Sequence, residues 1–188
     1  VTTTDELIPS GETSSYRSNP LGLAEFTLSR KDPEYVGRAK AIQAVEKVRE
    51  EGECMGEAYP EMREIMHKVK EQFPDVCGGN TGVGSTIFAV KPGDGSAREQ
   101  AASCQKVLGG WANVAKEYAT KRYRSNLINW GMLPFLMPED YDFEIDDYIF
   151  IPDIAKAVRE KNDDIKAYVV NKDMKELTFH LGDLTDHE

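Results

Sequence analysis

Residues 86–102 read TIFAVKPGDGSAREQAA, and the succession of patterns within them decides the fold class. The run from Thr86 to Val90 is short and apolar and follows a glycine-rich stretch, which predicts a buried strand. Gly93 and Gly95 permit a tight loop, and a helix start follows at about Ala97. A strand, a glycine loop and a helix in succession predict an α/β protein.

Helices and strands are predicted on both sides of this stretch. Asp32-Pro33 is typical of an N-cap and a first-turn proline, and the helix that follows ends at Gly52. A second helix starts at Tyr59-Pro60 and ends before Pro74, whereas residues 5–30 predict a loop with repeated turns. The remaining predictions are a helix at Ala112–Arg122, strands at Tyr148–Ile151, Ala167–Val170 and Leu177–Leu181, and a short helix around Ile154 and Val158.

Composition favours one globular domain over residues 1–188. Hydrophobic residues make up 40% of the chain and charged residues 30%, which suffices for a core and argues against disorder. The formal charge of −10 disfavours binding to nucleic acid or to anionic membranes, and the sequence contains no candidate membrane span. Three cysteines form no even disulfide framework, so we expect a reducing, cytoplasmic location. Because the chain begins at Val1, we expect it to be a fragment of a longer protein.

A first glycine-rich stretch, GNTGVGST at residues 79–86, has the glycine spacing of a P-loop. Ser85 stands where the phosphate-binding lysine of a P-loop is required, and a strand follows where a helix is required. These two departures predict a hairpin or connecting loop and argue against a nucleotide site.

The second glycine loop, KPGDGS at residues 91–96, runs into a helix start and has two interpretations. Gly93 and Gly95 let backbone approach a ligand closely, and Ser96 and Arg98 stand at a helix start whose free N–H groups attract a small carboxylate. The alternative is structural: Ser96 is the N-cap, and Glu99 completes a capping box with it. Arg98 favours a bound anion, because a cation in the first turn opposes the helix dipole.

The loop is also part of a longer motif, GDGSAREQAA at residues 93–102. It is followed by LGG at 108–110, NL at 126–127 and GMLP at 131–134, and preceded by TTD at 3–5, Gly11 and Arg17. In order and approximate spacing these blocks resemble the aconitase superfamily, specifically its mobile C-terminal swivel domain, whose motif reads GxGSSREHAA. Eight of the ten motif positions agree, and the resemblance covers most of the chain. It implies a swivelling β/β/α domain with a mixed sheet flanked by helices.

The resemblance also implies a function. Ser96 is expected to be the catalytic base of a hydro-lyase acting on a hydroxy di- or tricarboxylic acid. Arg17 and Arg98 are expected to hold substrate carboxylates, with Gly95 and Ala97 as further substrate-binding positions. The family's [4Fe–4S] cluster is held elsewhere, and none of the cysteines at 54, 77 and 104 matches its ligands. The chain by itself is thus expected to bind no metal and to be catalytically incomplete without a cluster-bearing N-terminal region or large subunit.

Several features keep alternatives open. The family's second serine is Ala97 here and its histidine is Gln100, so the resemblance leaves the substrate open. The charged helices at about residues 32–75 are expected to be a subfamily insertion. The alternatives are a non-catalytic module that binds a carboxylate or RNA, and the small subunit of an isopropylmalate-type dehydratase. Residues 76–138 carry seven basic and three acidic side chains, the only basic part of an acidic chain, which favours a small anionic ligand.

Overall fold

A computed structural model describes residues 1–9, 11, 14–16, 18–137, 143–182 and 184. They fall into two compact units: Val1–Gln43 with Gly84–Leu136, and Ala44–Val83 with Met137–His187. The elements in chain order are β1 (Thr2–Thr3), α1 (Thr4–Leu7), a 3-10 turn (Ser14–Tyr16), α2 (Pro20–Ala24), α3 (Tyr35–Glu50), α4 (Met55–Ala58), α5 (Pro60–Gln72), β2 (Ser85–Ala89), β3 (Pro92–Asp94), α6 (Arg98–Val107), β4 (Gly110–Ala115), α7 (Lys121–Asn129), β5 (Leu133–Leu136), β6 (Ile149–Phe150), α8 (Ile154–Arg159), β7 (Ile165–Val169) and β8 (Lys175–Phe179).

The first unit contains a parallel sheet with strand order β2-β4-β5. Helix α6 connects β2 to β4 and helix α7 connects β4 to β5, because parallel neighbours require a crossover connection. Proline at position 134 is compatible with the sheet since β5 is an edge strand. The glycine loop therefore follows β2 at the carboxyl edge of this sheet, where open α/β sheets bind their ligands.

The helix predicted at Ala112–Arg122 is wrong. Gly110–Ala115 form strand β4, and α7 starts at Lys121 after the N-cap Thr120, whose Oγ1 accepts a hydrogen bond from the N–H of Tyr123 at 3.1 Å. Strand β4 pairs with β2 on one side and with β5 on the other. This pairing on both edges, and the burial that accompanies it, override the local pattern of the residues.

A second, two-stranded parallel ribbon joins β1 to β3. The N–H of Thr2 donates to the carbonyl of Lys91 at 2.8 Å, which brings the start of the chain beside the glycine loop. The sequence predicts only turns at residues 5–30, but the structure also has α1 and α2 at the start of the chain. Each has a side-chain cap: Thr3 and Glu6 form a capping box on α1, and Asn19 accepts from the N–H of Gly22 on α2.

The core of the first unit lies among its helices. It is built from buried apolar side chains of α1, α2, α3, α6 and α7 together with Ile87 of β2. Helix α3 begins at Tyr35, two residues after the predicted first-turn proline, because residues 33–34 form a turn that the N–H of Tyr35 closes onto the carbonyl of Asp32. It ends as predicted before Gly52, whose positive φ of 80° suits glycine.

The second unit combines helices α4 and α5 with the antiparallel sheet β6-β7-β8. The predicted methionine-rich stripe of α5 is packed as expected, with Met62 and Val69 buried in two apolar clusters. The three late strands and the short helix are confirmed, with boundaries shifted by a few residues. Parallel and antiparallel strands flanked by helices thus confirm the α/β prediction. No helix in the described part of the chain is both long and apolar enough to cross a membrane.

The first glycine-rich stretch is attached to α3 by an internal ion pair. Glu46 is 8% exposed and accepts hydrogen bonds from Arg49 Nε at 2.8 Å and from the N–H of Val83 at 2.8 Å. Arg49 Nη1 also donates to the carbonyl of Gly78 at 3.3 Å. Strand β2 follows this stretch directly, as the sequence analysis predicts, so the loop lacks the strand-to-helix passage of a P-loop.

Candidate functional site

A surface cavity of about 470 Å³ lies where the glycine loop meets the start of the chain. It is lined by two short segments, Thr3 to Asp5 and Asp94 to Ala97. Three of the predicted site residues, Gly95, Ser96 and Ala97, are therefore together in one cavity. Pairing of β1 with β3 accounts for the convergence, since α1 starts directly after β1 and α6 starts shortly after β3.

Gly95 makes the closest approach between the two segments. Its φ is +131°, and a Cβ at this position would lie 2.2 Å from Oγ1 of Thr4, a residue that is 3% exposed. No side chain fits at that distance, so the glycine is required by space as well as by backbone conformation. Its close packing against Thr4 places the next residue, Ser96, at the cavity.

Ser96 does not cap helix α6. The N-cap is Ala97, which makes no side-chain hydrogen bond to the helix, so the capping box predicted as the alternative interpretation is wrong. The chain turns into the helix one residue later than the pattern suggests, which leaves the Ser96 side chain exposed at the cavity beside the helix start. Because Ala97 supplies no capping oxygen, the first N–H groups of α6 receive no side-chain hydrogen bond from their N-cap residue.

The two predicted arginines have different outcomes. Arg98 is the first residue of α6, and its Nε is buried without a hydrogen-bond partner among the described residues. A buried guanidinium donor without a partner is unfavourable, which makes Arg98 a candidate for binding an anion. Arg98 is not one of the residues that line the cavity. Arg17 lies outside the described residues, so its expected role stays a prediction.

The charged side chains that line the cavity are carboxylates. Asp94 is exposed, and Asp5 accepts a hydrogen bond from Arg30 at 2.8 Å, so an arginine compensates its charge. The basic side chains of residues 76–138 do not line the cavity. At the cavity itself, an anion can be bound by the backbone N–H groups at the start of α6. The guanidinium of Arg98 belongs to the first residue of this helix but lies outside the cavity lining.

The cysteines do not fit an iron–sulfur cluster. Cys54 and Cys77 are exposed, whereas Cys104 is buried, and burial raises the pKa of its thiol to about 11. Within the described residues, no group of three potential ligands includes a cysteine.

One group in the second unit has metal-ligand spacing. Asp163, Asp164 and His180 hold potential ligand atoms within 4.8 Å of one another, and both aspartates are exposed. His180 Nδ1 lies 3.4 Å and 3.3 Å from the two carboxylates, which an ion pair with a protonated imidazole also explains. The sequence pattern does not indicate this group, because its two parts are separated along the chain.

Other groups that hold the residues of the site in place are also not indicated by the sequence pattern. Thr4 was part of a recognised block, but its packing against Gly95 needs the β1–β3 pairing. A buried hydrogen-bonded set, Gln105, Asn113 and Tyr123, lies on three different elements. A polar Asn113 within the apolar run of residues 111–115 was the available signal, since a buried polar side chain requires partners.

The fold and the cavity define an α/β domain that presents a serine at the start of a helix following a glycine loop. Residues 44–140, about half of the chain, match the family model described as the aconitase C-terminal domain. The chain belongs to this family and is an aconitase-like hydro-lyase domain. Gly95, Ser96, Ala97 and Arg98 lie within the matched range, and Arg17 lies before it.

A solved structure supports the same fold. The crystal structure of 3-isopropylmalate dehydratase from Methanocaldococcus jannaschii is similar with a TM-score of 0.56 and 20% sequence identity. The similarity covers 99% of this chain and 78% of that chain. No curated protein sequence matches the chain.

Proposed function

We propose that this chain supplies Ser96 as the base that removes a proton from a hydroxy di- or tricarboxylic acid during its dehydration. The observation that supports the proposal most strongly is the position of Ser96. It lines the cavity at the start of α6, and Ala97 occupies the capping position that would otherwise have explained a serine here. A structural role as N-cap is thereby removed.

The surroundings of Ser96 supply what a serine base needs. A serine hydroxyl is a weak base, and its alkoxide must be stabilised by positive charge and by N–H donors. The N-terminal end of α6 provides both donors and the positive end of the helix dipole. In the proposed reaction the C–H bond beside a carboxylate breaks and its proton moves to Oγ of Ser96. The electron pair of the broken C–H bond forms the C=C bond as hydroxide leaves the neighbouring carbon.

Arginines are proposed to hold the substrate. Arg98, whose buried Nε lacks a partner among the described residues, and Arg17 each offer a planar fork that binds both oxygens of a carboxylate. Gly95 and Ala97 are proposed as substrate-contacting positions because both line the cavity without a polar side chain. A small carboxylate is compatible with a cavity of about 470 Å³.

The proposal includes a second protein region. The cysteines do not fit a cluster, so the [4Fe–4S] group is proposed to lie on cluster-bearing N-terminal domains or on a large subunit. The chain would then be catalytically incomplete by itself. Three free cysteines support a reducing, cytoplasmic compartment for the assembly.

Ser96→Ala in the complete, cluster-loaded protein tests the role of the serine. We expect dehydration of citrate, isocitrate and isopropylmalate, whichever of them the wild type turns over, to fall at least about 100-fold because the proton acceptor is lost. The iron–sulfur absorption and the binding of tricarballylate are expected to stay unchanged.

Ser103→Ala is the matched control. Ser103 lies on the same helix, and its Oγ donates to the carbonyl of Gln100 at 3.4 Å. This variant is expected to keep wild-type activity. Near-normal turnover by Ser96→Ala would remove Ser96 from the mechanism.

A further inference from the structure

Three polar side chains form a closed ring of hydrogen bonds inside the first unit. Gln105 of α6, Asn113 of β4 and Tyr123 of α7 are all completely buried. The Tyr123 hydroxyl donates to Asn113 Oδ1 at 2.9 Å, Asn113 Nδ2 donates to Gln105 Oε1 at 2.6 Å, and Gln105 Nε2 donates to the Tyr123 hydroxyl at 2.9 Å. The ring therefore connects two helices and the central strand.

The hydrogen bonds of the ring leave little freedom. Each member donates to the next and accepts from the previous one, and the second proton of Gln105 Nε2 goes to the carbonyl of Ala101 at 2.8 Å. Bonds that run in one direction strengthen one another in a low-dielectric interior. Each side chain is thus held in one orientation, which apolar packing alone does not achieve.

The ring holds the segment before Ser96 through Tyr123. The aromatic ring of this tyrosine covers Gly93 so closely that a Cβ on the glycine would lie 2.3 Å from Cγ, and Gly93 has a φ of +97°. Thr120, one turn earlier, donates from Oγ1 to the carbonyl of Gly93 at 3.3 Å. Gly93 is three residues before Ser96, so its packing against Tyr123 determines where the loop begins.

The ring also holds the segment after Ser96. Gln105 belongs to α6, which starts at Arg98, two residues beyond the serine. Gln105 is hydrogen-bonded both to its own helix and to Tyr123. The start of α6 and the tyrosine that packs against Gly93 are therefore fixed relative to each other. Ser96 lies on the short piece of chain between these two anchors.

We propose that Tyr123 is a positioning residue for Ser96 and that it acts through its hydroxyl, which closes the ring with Gln105 and Asn113. This inference rests on the proposed function of Ser96. The hydroxyl does not line the cavity and is not expected to touch the substrate. Its effect is on the geometry of the loop.

The test compares Tyr123→Phe with Tyr118→Phe. Both changes remove a tyrosine hydroxyl from the first unit, but the hydroxyl of Tyr118 donates to the backbone carbonyls of Asn113 and Phe135, at 3.2 Å and 2.9 Å. Tyr118→Phe therefore controls for a general loss of stability. In Tyr123→Phe the aromatic ring over Gly93 remains, and only the hydroxyl is lost.

The first measurement is hydrogen exchange of the amides at residues 92–98 in the full chain, without substrate or cluster. We expect faster exchange in Tyr123→Phe and wild-type exchange in Tyr118→Phe. The second measurement is the kinetics of the complete enzyme. There kcat should fall about 10- to 100-fold in Tyr123→Phe while KM changes less than about threefold, because a misplaced base affects the transition state most.

Unchanged exchange and unchanged kcat in Tyr123→Phe would overturn the proposal. If the variant does not fold, Thr120→Val removes both the bond to Gly93 and the side-chain cap of α7, the helix that carries Tyr123. Thr120→Ser keeps both bonds and should show wild-type exchange. Equal exchange in the two Thr120 variants would also overturn the proposal. Failure of the proposed function looks different. In that case Ser96→Ala keeps its activity, whereas Tyr123→Phe still accelerates exchange in the loop.

Discussion

Gly95 combines two constraints that no other residue type satisfies. Its φ of +131° belongs to the region that favours glycine, and Oγ1 of the buried Thr4 occupies the place of a side chain. The residue is therefore required for the local path of the chain at the cavity, independently of any ligand. Ser96 takes its position from this contact.

At the residue scale we predict that Gly95→Ala lowers the free energy of unfolding by about 2–4 kcal/mol, through backbone strain and overpacking against Thr4. Urea denaturation of the full chain measures the effect. Gly37→Ala is the matched control, since Gly37 is an exposed residue of α3 and no atom outside its chain neighbours and its own helix backbone lies within 4 Å of its Cβ position. That change should stabilise by up to about 1 kcal/mol, as expected for a helical glycine. Equal stability of Gly95→Ala and wild type would contradict the described loop conformation.

At the element scale, helix α3 and the first glycine-rich stretch depend on one internal ion pair. The side chains of Glu46 and Arg49 are 11% and 19% exposed, and together they bond to backbone at Val83 and Gly78. Val83 also packs against the apolar cluster that contains Val45 of α3, so these polar bonds add to an apolar contact between the stretch and the helix. The sequence places the pair at a spacing of three residues but does not indicate its backbone partners.

We predict that Arg49→Met lowers the free energy of unfolding by about 2–3 kcal/mol, because it leaves the carboxylate of Glu46 without its charged partner in a mostly buried position. The control is Lys40→Met on the same helix. Lys40 pairs with Glu25 at 2.6 Å, but the two side chains are 47% and 57% exposed, so the loss should be below about 0.5 kcal/mol. Urea denaturation midpoints of the two variants measure the two losses of stability. Similar losses of stability in Arg49→Met and Lys40→Met would contradict the structural role of Arg49.

At the scale of the whole molecule, several groups with raised pKa values lie in the first unit. Burial raises the pKa of Cys104 from 9.0 to about 11 and that of Tyr35 from 10.0 to about 12. Burial also raises the pKa values of Tyr118 and Tyr123 above that of an ordinary tyrosine. In each case the folded state keeps a proton that the unfolded chain releases at lower pH.

We therefore predict that stability falls as the pH rises from about 9 to 12. Between the unfolded and folded pKa values the folded state binds more protons than the unfolded one, so the free energy of unfolding decreases with pH. Urea midpoints at a series of pH values measure the slope. Tyr35→Phe should make the slope shallower, since it removes one of these buried groups. A constant midpoint from pH 8 to pH 11 would contradict the prediction.

The sequence by itself determined the features that depend on local pattern. Helices α3 and α5, strand β2 and the glycine loop follow from periodicity, proline and glycine, because hydrophobic spacing and backbone freedom act within a few residues. The family motif at residues 93–102, which is also local in sequence, is the basis for the expectation that Ser96 is the catalytic base. Arg17 stays a prediction outside the described residues.

Only the tertiary structure decided the features that depend on distant partners. Strand β4 exists because β2 and β5 pair with both of its edges, where the local pattern suggested a helix. Ala97 takes the N-cap position in place of Ser96, and Thr4 packs against Gly95 through the pairing of β1 with β3. These outcomes were not predictable from neighbouring residues, because hydrogen bonding and close packing between segments far apart along the chain outweigh the weak preference of each segment for its own structure.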